Sequence, residues 1–193
     1  MRIGIDLQVL ANRRTGIGNY AYFLTKYLRE AQSGHEFVFF DSSSGKIPFW
    51  SRHIAFARQI QKAKLDVFHG PANVLPWGLK GSNGGKARLA RRASESRRGM
   101  KSVITLHDLA IYKHPEWFAR GQWLATKLIV PHSIKKADKI IVPSEVTKRD
   151  LQEIFKVPEE KIAVVPHGVE DRFFRESVST KSEAPNPKQI QMT

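Results

Sequence analysis

Short apolar runs recur along the chain, and segments with helical spacing separate them. The runs predict six strands, over residues 3–10, 36–40, 65–69, 102–106, 139–142 and 162–165. Short, Val- and Ile-rich strands that alternate with helices are typical of a parallel sheet buried on both faces. We therefore predict an α/β fold, a single Rossmann-like domain with a mainly parallel sheet covered by helices on both faces.

Helical periodicity fills the intervals between these strands. A helix is predicted after Gly16, with further helices over 54–63, over 117–137 and over 145–155, the last capped by Ser144. Several aromatic side chains have core spacing, which favours packing over a stacking platform: Tyr20, Phe23, Tyr27, Trp117 and Trp123.

Polar residues cluster where several of the predicted strands end. The clusters are Gly16 to Tyr20, His69 to Asn73, His107-Asp108, the loop before Ser144, and His167-Gly168. Because the carboxyl ends of parallel strands share one edge of a sheet, and ligands bind outside that edge, we expect these clusters to converge on one cleft.

The segment Gly16-Ile17-Gly18-Asn19 opens the first long helix. Two glycines allow a ligand to approach the backbone, and a helix start attracts anions, so the pattern indicates phosphate contact. A plain turn that needs positive φ is an alternative. A nicotinamide-dependent oxidoreductase, with Ala21 as the third small residue and Asp41 on the ribose, fits less well because the first glycine follows the predicted strand too late.

His107-Asp108 follows a central strand, where an imidazole can donate a hydrogen bond or act as an acid or base. Asp108 can orient the imidazole or cap the next turn. His69 and His167 are weaker candidates because their Gly and Pro neighbours also suit turns. The chain has no cysteine, and the remaining histidines lack the spacing of metal ligands.

The high positive net charge of the chain predicts that it binds an anionic partner. The 193-residue chain carries a formal charge of +14, and residues 80–101 hold eight basic residues against one acid. This segment is interpreted as a solvated basic loop, as a contact for anionic lipid headgroups, or as a nucleic-acid contact, which the lack of interleaved aromatics disfavours. The expected anionic-surface residues are Lys86, Arg88, Arg91, Arg92, Arg97 and Arg98.

The two ends of the chain complete the predicted organisation. The N-terminus is too short and polar for a signal peptide, and no apolar run reaches membrane-spanning length, which predicts a cytoplasmic protein, soluble or peripheral at the inner face of the membrane. Residues 176–193 have few large apolar side chains and no periodicity, and predict a disordered or linker-like tail. The predicted domain is therefore 1–175, with a basic insertion at 79–101.

In its strand-end segments the sequence resembles the N-terminal domain of retaining GT-B glycosyltransferases, glycosyltransferase family 4 (group 1). The resemblance is carried by five segments in order, with Thr15–Tyr20, Val67–Pro76, Ser102–Leu109, Ala137–Ser144 and Lys161–Glu170 at their centres. It implies transfer of a sugar from a nucleotide-sugar donor to an acceptor with retention at the anomeric carbon, with no cofactor and no metal. It also implies acceptors such as glycans, lipid-linked glycans and small molecules.

The resemblance assigns expected roles to the strand-end residues. Gly16, Ile17, Gly18 and Asn19 would face the donor diphosphate, and His107 would lie beside the transferred sugar with Asp108 as its neighbour. The residues expected to line the cleft or contact the acceptor are Tyr20, His69, Asn73, Ser144, His167 and Gly168.

Family members continue into a C-terminal donor-binding domain after a segment like Val165-Pro-His-Gly-Val169, and this sequence contains no such domain. We therefore expect this polypeptide alone to lack turnover, with a partner chain as one source of the second domain. The alternative classes are a basic membrane- or nucleic-acid-binding module on the same scaffold, and the oxidoreductase above.

Overall fold

A computed structural model describes residues 1–11, 16–41, 49–79 and 99–169. The strands are β1 (Arg2–Asp6), β2 (Glu36–Phe40), β3 (Val67–Gly70), β4 (Lys101–Thr105), β5 (Lys139–Val142) and β6 (Ile162–Val164). The helices are α1 (Gly16–Glu30), α2 (Phe49–Lys62), α3 (Ala110–Lys113), α4 (Arg120–Lys136) and α5 (Glu145–Phe155). Short 3-10 turns lie at Gln8–Ala11, Pro115–Trp117 and Glu159–Lys161.

The strands form one six-stranded sheet in the order β2-β1-β3-β4-β5-β6, and every pair is parallel. This confirms the predicted α/β, Rossmann-like architecture. Strand order reverses between β1 and β3, and in open parallel sheets such a switch point opens a crevice at the carboxyl ends of the strands. We call that side of the sheet the carboxyl edge and the opposite side, where strands begin, the amino edge.

An aromatic cluster fills the space between α2 and the sheet. The rings of Phe40, Phe56 and Phe68 meet edge to face with centroids 6.0–6.1 Å apart. Gly4 in β1 leaves room for this cluster, since a Cβ there would lie 2.3 Å from Leu65 Cδ1 and 2.9 Å from Phe40. Full burial of rings such as Phe68 is a large apolar contribution to folding, about 3–5 kcal/mol on truncation to alanine.

Several element boundaries differ from prediction; α2, for example, begins at Phe49 rather than at residue 54. The first strand ends at Asp6 rather than at residue 10, because the Asp6 carboxylate accepts a hydrogen bond from Gln8 N and starts a 3-10 turn. The helix predicted over 117–137 begins only at Arg120, because Ala119 has extended backbone. The short α3 was not predicted.

The prediction that the aromatic residues pack in the core is wrong for two of them. Tyr27 is 51% exposed and Trp117 is 68% exposed. Trp117 stacks on His114, with ring centroids 4.0 Å apart, and this contact forms outside the hydrophobic core. Tyr20 is partly buried and belongs to the site described below. The Trp123 side chain lies outside the described residues.

Two further predictions fall largely or wholly on residues that the structure does not describe. The basic residues of the 79–101 insertion, apart from Lys101, and the predicted tail at 176–193 lie outside the described ranges. Within those ranges, none of the helices has the length and apolar character needed to cross a membrane.

Candidate functional site

Five side chains from four parts of the chain meet at the carboxyl edge. They are Tyr20, His69, Thr105, His107 and His167, which we call the His–Tyr cluster. Tyr20 comes from the second turn of α1, His69 from the end of β3, and Thr105 and His107 from the end of β4 and the loop after it. His167 follows β6. The predicted convergence of these strand-end groups is thus present for the three histidines and Tyr20.

His107 is fixed by three contacts. Its backbone N donates to Asn73 Oδ1 at 2.9 Å, and its ring Nε2 lies 2.8 Å from the Pro71 carbonyl. A carbonyl only accepts, so Nε2 must carry the proton. In the neutral ring Nδ1 is then an acceptor, and its partner at 3.3 Å, His167 Nε2, must donate to it. The pair therefore has one tautomer assignment when both rings are neutral.

The Tyr20 ring joins the two imidazoles. Its centroid lies 4.9 Å from that of His107, nearly perpendicular at 81°, and 4.8 Å from that of His167. Its hydroxyl lies 3.1 Å from Thr105 Oγ1. The helix that the glycine segment begins is thus tied to the loop after β4.

His69 is the most buried histidine of the cluster. Only 9% of it is exposed, and its Nε2 is 2.8 Å from Thr105 Oγ1. Burial, with a smaller effect of nearby His107, lowers the pKa of the His69 imidazole to about 4. His69 was predicted to line the cleft; the structure places it behind Tyr20 and Thr105, as a neutral side chain at physiological pH.

Burial also favours the neutral forms of His107 and Tyr20. Burial is the main cause that lowers the pKa of the His107 imidazole; the Pro71 hydrogen bond and Asp108 oppose it, and His167 adds to it. Burial also raises the pKa of the Tyr20 phenol, against the weaker effect of its hydrogen bond with Thr105. A neutral set of imidazole and phenol groups suits hydrogen bonding to sugar hydroxyls better than binding of a charged group.

The glycine segment lies inside α1 rather than before it. Gly16 and Gly18 are in its first turn, so both have helical backbone, and the alternative of a turn with positive φ is wrong. Gly18 is buried, while Gly16 and Asn19 are exposed and Ile17 is partly so. Phosphate contact at this helix start stays a prediction.

The other predicted site residues stabilise local turns at the same edge. Asp108 Oδ1 accepts from Ala110 N at 3.0 Å, which makes it the cap of the next turn; the His107 ring nitrogens bind Pro71 and His167 instead. Ser144 caps α5 by accepting from Thr147 N at 3.1 Å, as predicted. Asn73, at φ +65, holds His107, and Gly168 is exposed beside His167.

Two residues of this edge were not singled out from the sequence. Thr105 is 1% exposed and bridges His69 and Tyr20. Asp6 ends β1, and the Gln8 amide is the only hydrogen-bond donor to its carboxylate among the described residues. Burial raises the pKa of Asp6 to about 6, against the effect of that hydrogen bond. The strand-end rule that selected His107 would have selected Asp6, had β1 been predicted to end there, and Thr105, had β4 been predicted to end at residue 105 rather than 106.

No group of three or more His, Asp or Glu side chains within the described ranges is placed to hold a metal ion. The absence of a metal from the reaction therefore remains a prediction that follows from the resemblance alone.

The sequence matches a known protein family. The family model of Glycosyltransferase Family 4 matches residues 45–173, a range that includes His69, His107, Ser144 and His167, while Tyr20 and the glycine segment precede it. No curated protein matches the chain. The family match covers well over half of the sequence, and the parallel sheet with its strand-end histidines agrees with it, so the chain belongs to Glycosyltransferase Family 4.

Proposed function

We propose that this chain is the acceptor-side, N-terminal domain of a retaining glycosyltransferase. It would help to move a sugar from a nucleotide-sugar to a glycan, lipid-linked or small-molecule acceptor. The observation that carries the proposal is the meeting of His107, His167 and Tyr20 at the carboxyl edge of a sheet in a family member. The oxidoreductase alternative loses support, because β1 ends at Asp6 and its glycines follow only from Gly16.

In this proposal His107 positions the sugar and does not act as a strong base. A depressed imidazole pKa keeps the ring neutral near pH 7, so it offers hydrogen bonds rather than positive charge. Nε2–H is committed to Pro71, which leaves the Nδ1 side, now occupied by His167, as the position that a sugar hydroxyl would take. Gly16 and the helix start of α1 would face the donor diphosphate, where amide dipoles favour negative charge.

We expect the isolated chain to turn over donor slowly or not at all. Departure of a nucleoside diphosphate requires cationic or strongly donating groups around the leaving group, and burial lowers the pKa of both the His69 and the His107 imidazole, which disfavours positive charge there. A second domain or a partner chain would supply those groups. A donor-hydrolysis and transfer assay on this chain tests the expectation, and robust rates would contradict it.

Binding at the cluster can be tested without turnover. The chain, labelled with ¹⁵N at histidine, is titrated with UDP-glucose, GDP-mannose and a panel of neutral disaccharides while the imidazole signals are recorded by NMR. We expect shifts at His107 and His167 with at least one probe, and their loss in His107→Ala. His35→Ala is the matched control, because His35 is exposed and lies before β2, at the amino edge. Shifts that persist in His107→Ala would reject the assignment.

We further propose that the basic segment of residues 80–101 holds the protein on anionic lipid headgroups. Its support is the share of the +14 net charge that falls there. Deletion of residues 81–98 should abolish sedimentation with phosphatidylserine vesicles and leave the sugar-dependent imidazole shifts intact. Unchanged vesicle binding would contradict the proposal, and retention on RNA instead would favour the nucleic-acid alternative.

A further inference from the structure

The Thr105 hydroxyl occupies the centre of the His–Tyr cluster. It lies 2.8 Å from His69 Nε2 and 3.1 Å from the Tyr20 hydroxyl, and Thr105 is 1% exposed. Tyr20 and Thr105 are far apart in sequence, on α1 and β4, so this one oxygen links the helix to the middle of the sheet.

We propose that Thr105 is a positioning residue: its hydroxyl ties the Tyr20 phenol to buried His69 and so holds the Tyr20 ring against His107 and His167. Its relevance to catalysis rests on the proposed sugar-binding role of His107. The structural part of the proposal stands on the distances alone.

The backbone of α1 does not need this hydrogen bond. Ala21, the next residue, is fully buried, and Thr25 Oγ1 donates within the helix to Ala21 O at 2.7 Å. Packing of the helix therefore fixes the position of the Tyr20 backbone, while the contact with Thr105 fixes the position of the Tyr20 hydroxyl. A ring fixed at both ends keeps its two imidazole neighbours in place.

Counting donors shows that the three groups are coupled. Thr105 Oγ1 has one hydrogen and two lone pairs, and neutral His69 has one donor and one acceptor nitrogen. If His69 Nε2 carries the proton, Thr105 Oγ1 accepts a hydrogen bond from it. Thr105 can then donate its own hydrogen to the Tyr20 oxygen, which leaves the phenol hydrogen for a ligand. If Nε2 is bare, Thr105 donates to it and Tyr20 donates to Thr105. The tautomer of His69 and the direction of the Tyr20 hydroxyl are then linked.

The Nδ1 atom of His69 allows either arrangement, since it has no hydrogen-bond partner among the described residues. A purely space-filling threonine would not produce this coupling. A variant that removes the Thr105 hydroxyl and keeps the shape of the side chain distinguishes the hydrogen-bonding role from a space-filling one.

The test compares Thr105→Val, Thr105→Ser and Tyr20→Phe by imidazole NMR over a pH series. Valine keeps the shape and removes the hydroxyl, and serine keeps the hydroxyl. We expect Thr105→Val and Tyr20→Phe each to raise the pKa of His107 by roughly half a unit, because a loosened Tyr20 ring admits water to the imidazole. We expect the double variant to add nothing further and Thr105→Ser to match the parent.

Thr25→Val is the matched control. It also removes a buried threonine hydroxyl, and that hydroxyl donates only to the backbone of its own helix, α1. We expect its histidine spectra to match those of the parent.

Additive effects in the double variant, an unchanged His107 in Thr105→Val, or a shift that serine does not restore would overturn the proposal. If Thr105→Val does not fold, Tyr20→Phe and Thr105→Ser carry the test, since Tyr20→Phe must still shift His107. These readouts need no sugar, so the failure of sugar binding with the expected spectra would reject the proposed function and leave the positioning role intact.

Discussion

The two edges of the sheet use polar side chains in opposite ways. At the amino edge, carboxylates close the starts of strands: Asp66 accepts from Arg2 N at 2.7 Å, and Asp138 accepts from Ser102 N at 2.8 Å. At the carboxyl edge, imidazoles and a phenol contact one another, and most of their partners are other side chains. The first arrangement satisfies backbone groups, and the second leaves hydrogen-bonding capacity for a ligand.

The difference also appears in the cost of burial. Asp6 and His69, at the carboxyl edge, lie where burial disfavours their charged forms, which moves their pKa values to about 6 and about 4. A group whose pKa is shifted this far by burial lowers stability at some pH, and such groups concentrate at functional sites. The amino edge therefore contributes to stability, while burial of these two groups lowers stability at the carboxyl edge, which is consistent with the ligand-binding role proposed for it.

The largest expected effect comes from replacing Asp6 by asparagine. The pKa of His69 lies below its unfolded value, so its contribution to stability is complete above about pH 6.5 and is lost as pH falls toward 4. Asp6 acts in the opposite direction over nearly the same range and partly cancels this loss. In Asp6→Asn the cancellation disappears, and the free energy of unfolding should fall by about 3 kcal/mol between pH 6.5 and 4.

Urea unfolding at half-unit pH steps measures this slope, with His35→Ala as a variant that should follow the parent. At pH 7 Asp6→Asn should be more stable than the parent, because a buried carboxylate has been removed. A variant that is less stable at pH 7 would show that Asp6 has a stabilising partner.

Replacing His69 by glutamine should reverse the slope, with a slightly smaller effect. The pKa of Asp6 is raised above its usual value of 3.8, so the folded chain binds a proton more tightly than the unfolded chain between pH 4 and 6. Without the opposing histidine, His69→Gln should gain up to about 3 kcal/mol as pH falls through that range. The double variant with Asp6→Asn should be nearly flat. A falling curve in His69→Gln would contradict both pKa shifts.

The sheet could be predicted from the sequence because its signal is local. Apolar runs such as 36–40 and 139–142 correspond to β2 and β5 residue for residue, and Ser144 caps α5 as expected. The end of β1 could not be predicted in this way, because apolar residues continue past Asp6 and only the hydrogen bond between Asp6 and Gln8 ends the strand.

The residues at the surface of the site were predicted from the sequence, but the buried contacts beneath them were not. Strand-end position was enough to bring His107, His167 and Tyr20 together. The burial of His69 and its contact with Thr105 depend on the register between β3 and β4. In that register His69 pairs with Val103, two residues before Thr105. No single-sequence pattern encodes that register.

At the amino edge, Asp138→Ala should cost about 2 kcal/mol. Its carboxylate accepts from both the amide and the hydroxyl of Ser102, which is 1% exposed; the hydroxyl can turn to the Lys136 carbonyl, but the variant leaves the buried amide without its acceptor. Thermal unfolding should show a Tm lower by about 4–8 °C, with the imidazole spectra of the His–Tyr cluster unchanged. Asp108→Ala is the matched control for stability alone, because that exposed carboxylate caps one amide at the other edge; it also acts on the pKa of His107 and is therefore no control for the spectra. Altered His107 signals in Asp138→Ala would show that the two edges are coupled.

The smallest effect is expected for Lys101→Gln, although Lys101 contacts the same carboxylate. Its Nζ lies 3.4 Å from Asp138 Oδ1, and 55% of its side chain is exposed, so water and salt screen the attraction. The loss should be below about 0.5 kcal/mol and should vanish in high salt. A double-mutant cycle with Asp138→Ala isolates the pair, and a coupling energy above about 1 kcal/mol would mean that the ion pair shares in holding β4. A small coupling would show that the carboxylate stabilises the strand start through the Ser102 backbone, whereas the His–Tyr cluster is held mainly by contacts between side chains.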